Sequence, residues 1–311
     1  THVATHPFCG GAVYAHGPNA VVVIGTVCCC IGPPLPLCTI PPSAIMASSS
    51  SSSVVFSIIV PAYKENGNLR PLVTRTFAAV ASAGFPAGSV EMIVVDDNSR
   101  DGSEDTVAAL KKEGFNVVII VRTRERGLSS AVIRGFTEAK GAFLLCMDAD
   151  LQHPPESVPL LLRALEKPGI EFVLGTRYGK GVAVDKDWPM HRRIISWGAR
   201  LLARPLTPLS DPMSGFFGLT KAVFERSVRR VNAVGYKIAL ELYVKGGIRK
   251  HKEVPFSFAT RTVGESKLTG KVILHYLKHL RALYWYAYGY MLLVVAALVA
   301  FGLYVVARRL L

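Results

Sequence analysis

Short runs of β-branched and other apolar residues alternate with amphipathic stretches from Val54 onwards. The predicted strands are Val54–Val60, Val90–Val95, Val117–Val121, Ala142–Met147 and Glu171–Leu174, and the predicted helices between them are Leu69–Ala83, Ser103–Glu113, Leu128–Ala139 and Pro155–Lys167. Apolar strands that are separated by helices are typical of a mostly parallel sheet with helices on both faces. The sequence therefore predicts an α/β fold, and 311 residues are enough for one such domain.

Polar motifs directly follow four of the predicted strands. They are Pro61–Glu65, Asp96–Ser99, Asp148–Asp150 and Gly175–Tyr178. Ligands of open α/β sheets bind outside the carboxyl ends of the strands, so we expect the four motifs to line one site.

Two of these motifs carry pairs of carboxylates. In extended backbone, Asp148 and Asp150 point to the same side. With Gln152 they offer the oxygen ligands that Mg²⁺ or Mn²⁺ prefers. Asp96 and Asp97 fit two interpretations, since one of them can accept hydrogen bonds from a nucleoside while the neighbouring residues form a turn before the next helix.

Charged residues are distributed unevenly along the chain. The net charge is +14, yet no charged residue precedes Lys64. We expect residues 1–53 to be a disordered leader or upstream translated sequence, and we interpret Met46 as the start of the natural chain. The excess of positive charge indicates an anionic partner. Because no nucleic-acid-binding motif accompanies this charge, we do not expect the partner to be a nucleic acid.

The C-terminal segment predicts contact with a membrane. Residues 271–281 form an amphipathic, basic pattern that suits an interfacial helix on an anionic membrane surface. Residues 282–307 contain no charge and begin with several aromatic side chains, as expected for a transmembrane helix. The predicted organisation is therefore a domain over 54–270, these two helical segments and a short tail, 308–311.

The motifs resemble those of the inverting family 2 glycosyltransferases, which have the GT-A fold, a Rossmann-like sheet. The resemblance covers about residues 55–271 and is carried by Val60–Glu65, Val95–Gly102, Met147–Pro155, Gly175–Tyr178, Asp185–Met190, Ser210–Leu219 and Arg261–Leu268. It is greatest to the single-chain, membrane-anchored members that transfer mannose from GDP-mannose to dolichyl phosphate. The resemblance implies a catalytic domain on the cytosolic face of the endoplasmic reticulum membrane, no required regulatory subunit, and a product that serves N-glycan, O-mannose and GPI-anchor synthesis.

The resemblance also implies a role for each matching residue. Asp150 and Arg177 would be catalytic, and Asp148, Asp150 and Gln152 would hold Mg²⁺ or Mn²⁺. The acceptor phosphate would be bound by Arg177, Arg192 and Ser196. The donor would be bound by Pro61, Tyr63, Glu65, Val95, Asp96, Asp97, Asp148, Ala149, Asp150, Arg177, Arg261 and Lys267.

Near these motifs lie a predicted loop and two side chains, a histidine and a cysteine, for which a structural role is predicted. Residues Arg261–Gly270 lack an apolar pattern, which predicts a loop that closes over the donor. His153 is interpreted as a structural residue rather than a metal ligand, and Cys146 as a core residue rather than a nucleophile.

Two alternatives remain open at this stage. The first is a related enzyme with another nucleotide sugar, such as one that transfers glucose to dolichyl phosphate, because short motifs define the base and the sugar poorly. The second is a membrane-tethered binding subunit without catalysis. The intact set Asp148, Asp150, Gln152, Arg177, Arg261 and Lys267 favours an enzyme.

Overall fold

A computed structural model describes residues 53–178, 190–232, 237–257 and 270–310. Its strands are β1 (Phe56–Ala62), β2 (Val90–Asp96), β3 (Val117–Val121), β4 (Phe143–Cys146), β5 (Phe172–Thr176), β6 (Phe217–Thr220) and β7 (His251–Pro255). Its helices are α1 (Asn66–Ser82), α2 (Ser103–Lys112), α3 (Leu128–Glu138), α4 (Val158–Leu165), α5 (Met190–Ala203), α6 (Lys221–Val228), α7 (Ile238–Gly246) and α8 (Gly270–Leu310), and a 3₁₀ turn spans Pro155–Ser157. The predicted leader (apart from Ser53) and the predicted donor residues Arg261 and Lys267 lie outside the described residues.

The strands form one sheet in the order β3-β2-β1-β4-β6-β5-β7. β1 is parallel to β2 and β4, and β5 is parallel to β7, whereas β6 is antiparallel to both β4 and β5. Because β6 is the reversed strand between them, β4 and β5 run in the same direction. The predicted mostly parallel sheet is thus confirmed, and the carboxyl ends of β1, β2, β4 and β5 share one edge.

The two faces of the sheet are covered by different helices. Successive side chains of a strand point to opposite faces, so Ile58 belongs to one core and Ile59 to the other. The first core is completed by α1, α2 and α4, and the second by α3, α6 and α7. Cys146 lies in the second core, where burial raises the pKa of its thiol well above the ordinary value, in agreement with a core role.

The C-terminal helix α8 is continuous over 41 residues. The predicted interfacial segment 271–281 and transmembrane segment 282–307 are therefore parts of one rod, which is about 60 Å long at 1.5 Å per residue. Among the described residues, Ile273–Gly302 is the stretch that is long and apolar enough to cross a membrane. Only 11% of its most apolar window is buried inside the protein, unlike the core helix of a soluble domain.

The N-terminal part of α8 packs against α5 and α7. Leu280 and Leu283 are buried there in a small cluster with Ala203 and Leu240. One side of the amphipathic stretch is thus covered by the protein itself, while Leu277 and its neighbours Ile273 and Leu274 stay exposed.

Tyrosines of α8 contact the carboxyl end of α5. The phenol of Tyr276 donates to the carbonyl of Ala199 at 2.7 Å, and that of Tyr284 donates to the carbonyl of Leu202 at 2.8 Å. The phenol of Tyr288 donates to the carbonyl of Pro205 just beyond the helix. The last carbonyls of a helix lack partners within it, so the phenol of Tyr284, which binds the carbonyl of Leu202, stabilises the end of α5.

Candidate active site

The loop after β4 carries the acidic residues that the sequence predicts as metal ligands. Asp148 has 38% of its side chain exposed. Asp150 is buried, and its Oδ1 accepts a hydrogen bond from the backbone N–H of Gln152 at 3.2 Å. Leu151 between them has a φ of 60°, in the left-handed region, so the chain turns sharply here. Ala149 is buried within the same loop.

His153 fixes the backbone of this loop. Its Nδ1 accepts a hydrogen bond from the N–H of Asp148 at 3.0 Å, and its ring stacks on Phe216 with 4.9 Å between centroids. Burial lowers the pKa of His153, so the ring is neutral near pH 7. With Nδ1 as an acceptor, the proton is on Nε2, which lies 3.8 Å from the Asp148 carboxylate. His153 therefore holds the backbone of Asp148, in agreement with the structural role predicted for it.

Gly215 leaves space beside the Asp148 carboxylate. A Cβ atom at this position would lie 3.3 Å from both carboxylate oxygens. The oxygen donors of Asp148, Asp150 and Gln152 suit a divalent cation, and the absent Cβ leaves room for its other ligands. In the described part of the chain, no three His, Cys, Asp or Glu side chains converge. A cation here would therefore need the Gln152 amide and oxygens of a substrate, which is the usual arrangement for Mg²⁺.

The ends of β1 and β2 form the predicted nucleotide side of the site. Pro61 pairs with Val95 in the sheet, and because the Val95 side chain is fully buried, a nucleotide would contact Val95 through its main chain. Tyr63 is exposed, and the charged groups of Lys64 and Arg126 lie 5.6 and 5.8 Å from the centre of its ring. An aromatic face beside cations suits a base that carries phosphates.

Predicted donor residues next to this ring already have partners within the protein. Glu65 accepts a hydrogen bond from the amide of Asn68 at 2.7 Å. Asp96 accepts one from the N–H of Ser99 at 2.8 Å and another from the Ser99 hydroxyl, which forms a turn before α2. The turn interpretation of Asp96 therefore agrees with the structure.

Asp97 is held by residues from a different loop. Its Oδ1 pairs with the buried guanidinium of Arg122, at 2.8 Å from Nε, and its Oδ2 accepts a hydrogen bond from the N–H of Gly127 at 2.8 Å. Asp97 therefore joins the end of β2 to the loop that carries Arg126. A direct contact of Asp96 or Asp97 with a nucleoside stays a prediction.

Arg177, after β5, forms a buried ion pair with a carboxylate. Its Nε and Nη2 donate to the two carboxylate oxygens of Asp211 at 2.7 and 2.9 Å, and the side chains are 15% and 0% exposed. Burial opposes the charge of Arg177, but the hydrogen bonds with Asp211 raise its pKa above the ordinary value. The planar, two-point pair fixes the direction of the guanidinium.

Lys237 adds a second cation near Arg177. Its Nζ donates to the carbonyl of Met213 at 3.0 Å, in the loop that also carries Asp211. Burial and the charge of Arg177 lower the pKa of Lys237 from 10.5 to about 8, against the attraction of Asp211 and Asp148. A cation with a lowered pKa beside carboxylates marks a candidate functional site.

Two of the three predicted acceptor residues, Arg192 and Ser196, lie on α5. The Ser196 hydroxyl is 3.2 Å from the phenol oxygen of Tyr178, which follows Arg177 directly, so α5 contacts the loop after β5. Arg192 lies one turn before Ser196 on the helix. The structure thus brings Asp148, Asp150, Arg177 and Ser196 to one edge of the sheet.

Sequence reasoning gave no role to three buried partners. Asp211 lies in the stretch Ser210–Leu219, which matches the family pattern, and that match was the available signal. Arg122 and Lys237 have no signal in the sequence. Arg122 and its partner Asp97 are 25 residues apart in the sequence, and Lys237 and Met213 are 24 residues apart. Only the fold therefore reveals these two contacts.

Comparison with known proteins identifies the family to which the sequence is similar. The sequence profile of glycosyl transferase family 2 matches residues 57–228. A dolichol-phosphate mannosyltransferase from Mycosarcoma maydis is 62% identical over 236 residues, which cover 75% of this chain and 80% of that protein. The protein of the same name from Saccharomyces cerevisiae is 56% identical over 242 residues, which cover 76% of this chain and 89% of that protein.

Solved structures show the same fold at low identity. Glucosyl-3-phosphoglycerate synthase from Mycobacterium tuberculosis, solved with Mn²⁺, uridine diphosphate and glucosyl-3-phosphoglycerate, is 19% identical. It aligns with a TM-score of 0.51 over 76% of this chain and 80% of its own. The predicted GT-A type of sheet is thereby confirmed. The match over more than half of the sequence and the identity to whole relatives show that the chain belongs to glycosyl transferase family 2 and, within it, to the dolichol-phosphate mannosyltransferases.

Proposed function

We propose that the chain transfers mannose from GDP-mannose to dolichyl phosphate, with inversion at the anomeric carbon. The observation that carries the proposal is the identity of 62% and 56% to two dolichol-phosphate mannosyltransferases over most of their lengths. The site supports it, because one edge of the sheet combines an exposed ring, a carboxylate pair and a directed guanidinium.

The proposed reaction forms a bond between a phosphate oxygen of the acceptor and the anomeric carbon of mannose. The bond from that carbon to the β-phosphate of GDP breaks, and GDP leaves with the electron pair. The acceptor oxygen is already ionised at neutral pH, so no side chain has to act as a general base. Catalysis then depends on placing two anions in line and stabilising the charge that develops on GDP.

We infer roles for the residues from their positions. Tyr63 offers its ring to the base, and Arg177 directs its guanidinium at phosphate oxygens. Arg192 and Ser196 on α5 hold the acceptor phosphate, and Arg261 and Lys267 are proposed to bind the donor. Asp148, Asp150 and Gln152 hold Mg²⁺ or Mn²⁺, which when bound neutralises charge on the donor diphosphate.

A substitution at Gly215 tests the cation site without removing a ligand. A methyl group there would lie 3.3 Å from both Asp148 oxygens, so the carboxylate has to shift by a few tenths of an ångström. We expect Gly215→Ala to weaken the apparent affinity for Mn²⁺ about tenfold, at about 1.4 kcal/mol per factor of ten. The measurement is the metal dependence of transfer. Gly198→Ala is the matched control, because a Cβ at Gly198 would meet nothing within 4 Å, and an equal loss in both variants would contradict the expectation.

The lipid side of the reaction is supported by α5 and α8. Apolar side chains that are each more than half exposed follow one another on α5 with helical spacing, namely Met190, Ile194, Trp197 and Leu201. The exposed residues of α8 from Tyr290 to Val306 continue the apolar surface. We propose that α8 anchors the chain in the endoplasmic reticulum membrane with the enzyme domain in the cytosol. Protease protection in sealed microsomes tests this orientation, and protection of the domain would overturn it.

The donor and the acceptor are tested together in one experiment. Membranes that contain the full chain are incubated with dolichyl phosphate and either labelled GDP-mannose or labelled UDP-glucose, with Mg²⁺ or with a chelator. We expect a metal-dependent mannolipid from GDP-mannose alone. A glucolipid without any mannolipid would overturn the proposed donor and favour the glucosyl alternative.

A further inference from the structure

Arg200, on α5, stacks on an aromatic side chain. The central carbon of its guanidinium lies 3.8 Å from the centre of the Tyr178 ring, and its Nε is buried without a hydrogen-bond partner. In the described part of the chain, no Asp or Glu pairs with it. A buried N–H that lacks a partner is costly, unless a ligand accepts its hydrogen bond.

The position of Arg200 continues the line of predicted acceptor residues. Arg192, Ser196 and Arg200 are spaced by four residues, so they lie along one side of α5. Tyr178 connects this side of α5 to the candidate site. Its phenol contacts Ser196 and its ring stacks with Arg200, while its neighbour in the sequence is Arg177.

Arg200 differs from Arg177 in its partners. Nε and Nη2 of Arg177 donate to the buried carboxylate of Asp211 at 2.7 and 2.9 Å. The pair is therefore directional but carries no net charge. A guanidinium stacked on an aromatic ring keeps its full charge and presents its edge, the geometry in which arginine binds phosphate.

The distribution of polar and apolar side chains on α5 fits both parts of the acceptor. Trp197 and Leu201 belong to its exposed apolar stripe, about a third of a turn away from the line through Ser196. The acceptor is a phosphate joined to an apolar chain. α5 thus offers a polar side for the phosphate and an apolar side for the hydrocarbon chain of the lipid.

We propose that Arg200 binds the phosphate of the lipid acceptor and is held in place for this by stacking on Tyr178. This inference rests on the proposed function, since it takes dolichyl phosphate as the acceptor. It assigns Arg200 a contact with substrate, in addition to Arg177, Arg192 and Ser196.

The test compares Arg200→Gln and Arg200→Lys with Arg204→Gln in the full-length chain in nanodiscs. Arg204 is exposed and lies one turn further along, which makes it a matched control for loss of charge. We expect Arg200→Gln to raise the KM for dolichyl phosphate about tenfold while the KM for GDP-mannose and the unfolding midpoint stay unchanged, because a charged hydrogen bond is lost. Arg200→Lys, which keeps the charge but not the planar stack, should recover part of the affinity.

Direct binding separates this inference from the proposed reaction. Wild-type protein is titrated with dolichyl phosphate and with dolichol, and the preference for the phosphate should largely disappear in Arg200→Gln. If the wild type makes no mannolipid, the proposed function fails, and this titration still decides the role of Arg200. An unchanged preference for the phosphate, or equal rises in both KM values together with a lower unfolding midpoint, would overturn the inference.

Discussion

Replacement of Asp148 by Asn is expected to lower mannosyl transfer about a hundredfold or more, with little change in stability. The substitution keeps the shape of the side chain and removes its charge, which we propose helps to hold the cation beside the diphosphate. Stabilisation of developing charge contributes a few kcal/mol in enzymes, about 10² to 10³ in rate. Because the side chain is 38% exposed and forms no close ion pair in the described structure, we expect the unfolding midpoint to stay near that of the wild type.

The measurement is the transfer rate over a range of Mn²⁺ concentrations, with thermal unfolding in parallel. High Mn²⁺ should restore part of the activity of Asp148→Asn, since the variant keeps Asp150 and Gln152. Glu156→Gln is the control, because Glu156 is also a partly exposed acid, and it pairs with Arg75 rather than with a residue of the predicted site. Wild-type activity of Asp148→Asn at limiting Mn²⁺ would contradict a metal role for Asp148.

Replacement of Asp211 by Ala is expected to destabilise the fold by about 3–5 kcal/mol and to abolish transfer. Asp211 is fully buried, and its removal takes away the carboxylate to which the Arg177 guanidinium donates two hydrogen bonds. Breaking a buried ion pair from one side costs this much because the remaining charge is uncompensated. The guanidinium also loses its direction, on which we propose the reaction depends.

A double variant separates the two effects of the pair. Arg177→Met with Asp211→Leu removes both charges, so we expect it to regain most of the stability while staying inactive. Glu113→Ala is the control for an exposed pair, since Arg70 and Glu113 are each about half exposed and such pairs contribute at most about 1 kcal/mol. Chemical denaturation measures all three variants. The explanation fails if Asp211→Ala is no less stable than Glu113→Ala.

The first half of the fold could be predicted because its signals are local. Each of β1 to β4 is a run of apolar residues, and the helices between them repeat with the helical period. Strand β6 was not predicted, because it has only four residues and one of them is Gly218. Strand β7 was not predicted either, since its sequence HKEVP is polar and lies at the edge of the sheet.

The candidate site could be predicted as a set of motifs but not as a set of contacts. Asp148, Asp150 and Arg177 each follow a predicted strand directly, and this position is enough to predict that they belong to the site. The bond of Arg177 to Asp211 depends on β6 reversing between β4 and β5, and no local pattern encodes this. In the same way, no local pattern indicates that Arg200 stacks on the Tyr178 ring.

The tyrosine contacts between α5 and α8 have a consequence for how the enzyme meets its lipid. Three phenols join the end of α5 to the helix proposed to cross the bilayer. The distance from the acceptor residues to the middle of the membrane is then a fixed length of the protein, because a helix does not stretch. In the proposed orientation, a thicker or thinner bilayer would change the distance between these residues and the lipid phosphate, and tilting of α8 would be the way to restore it.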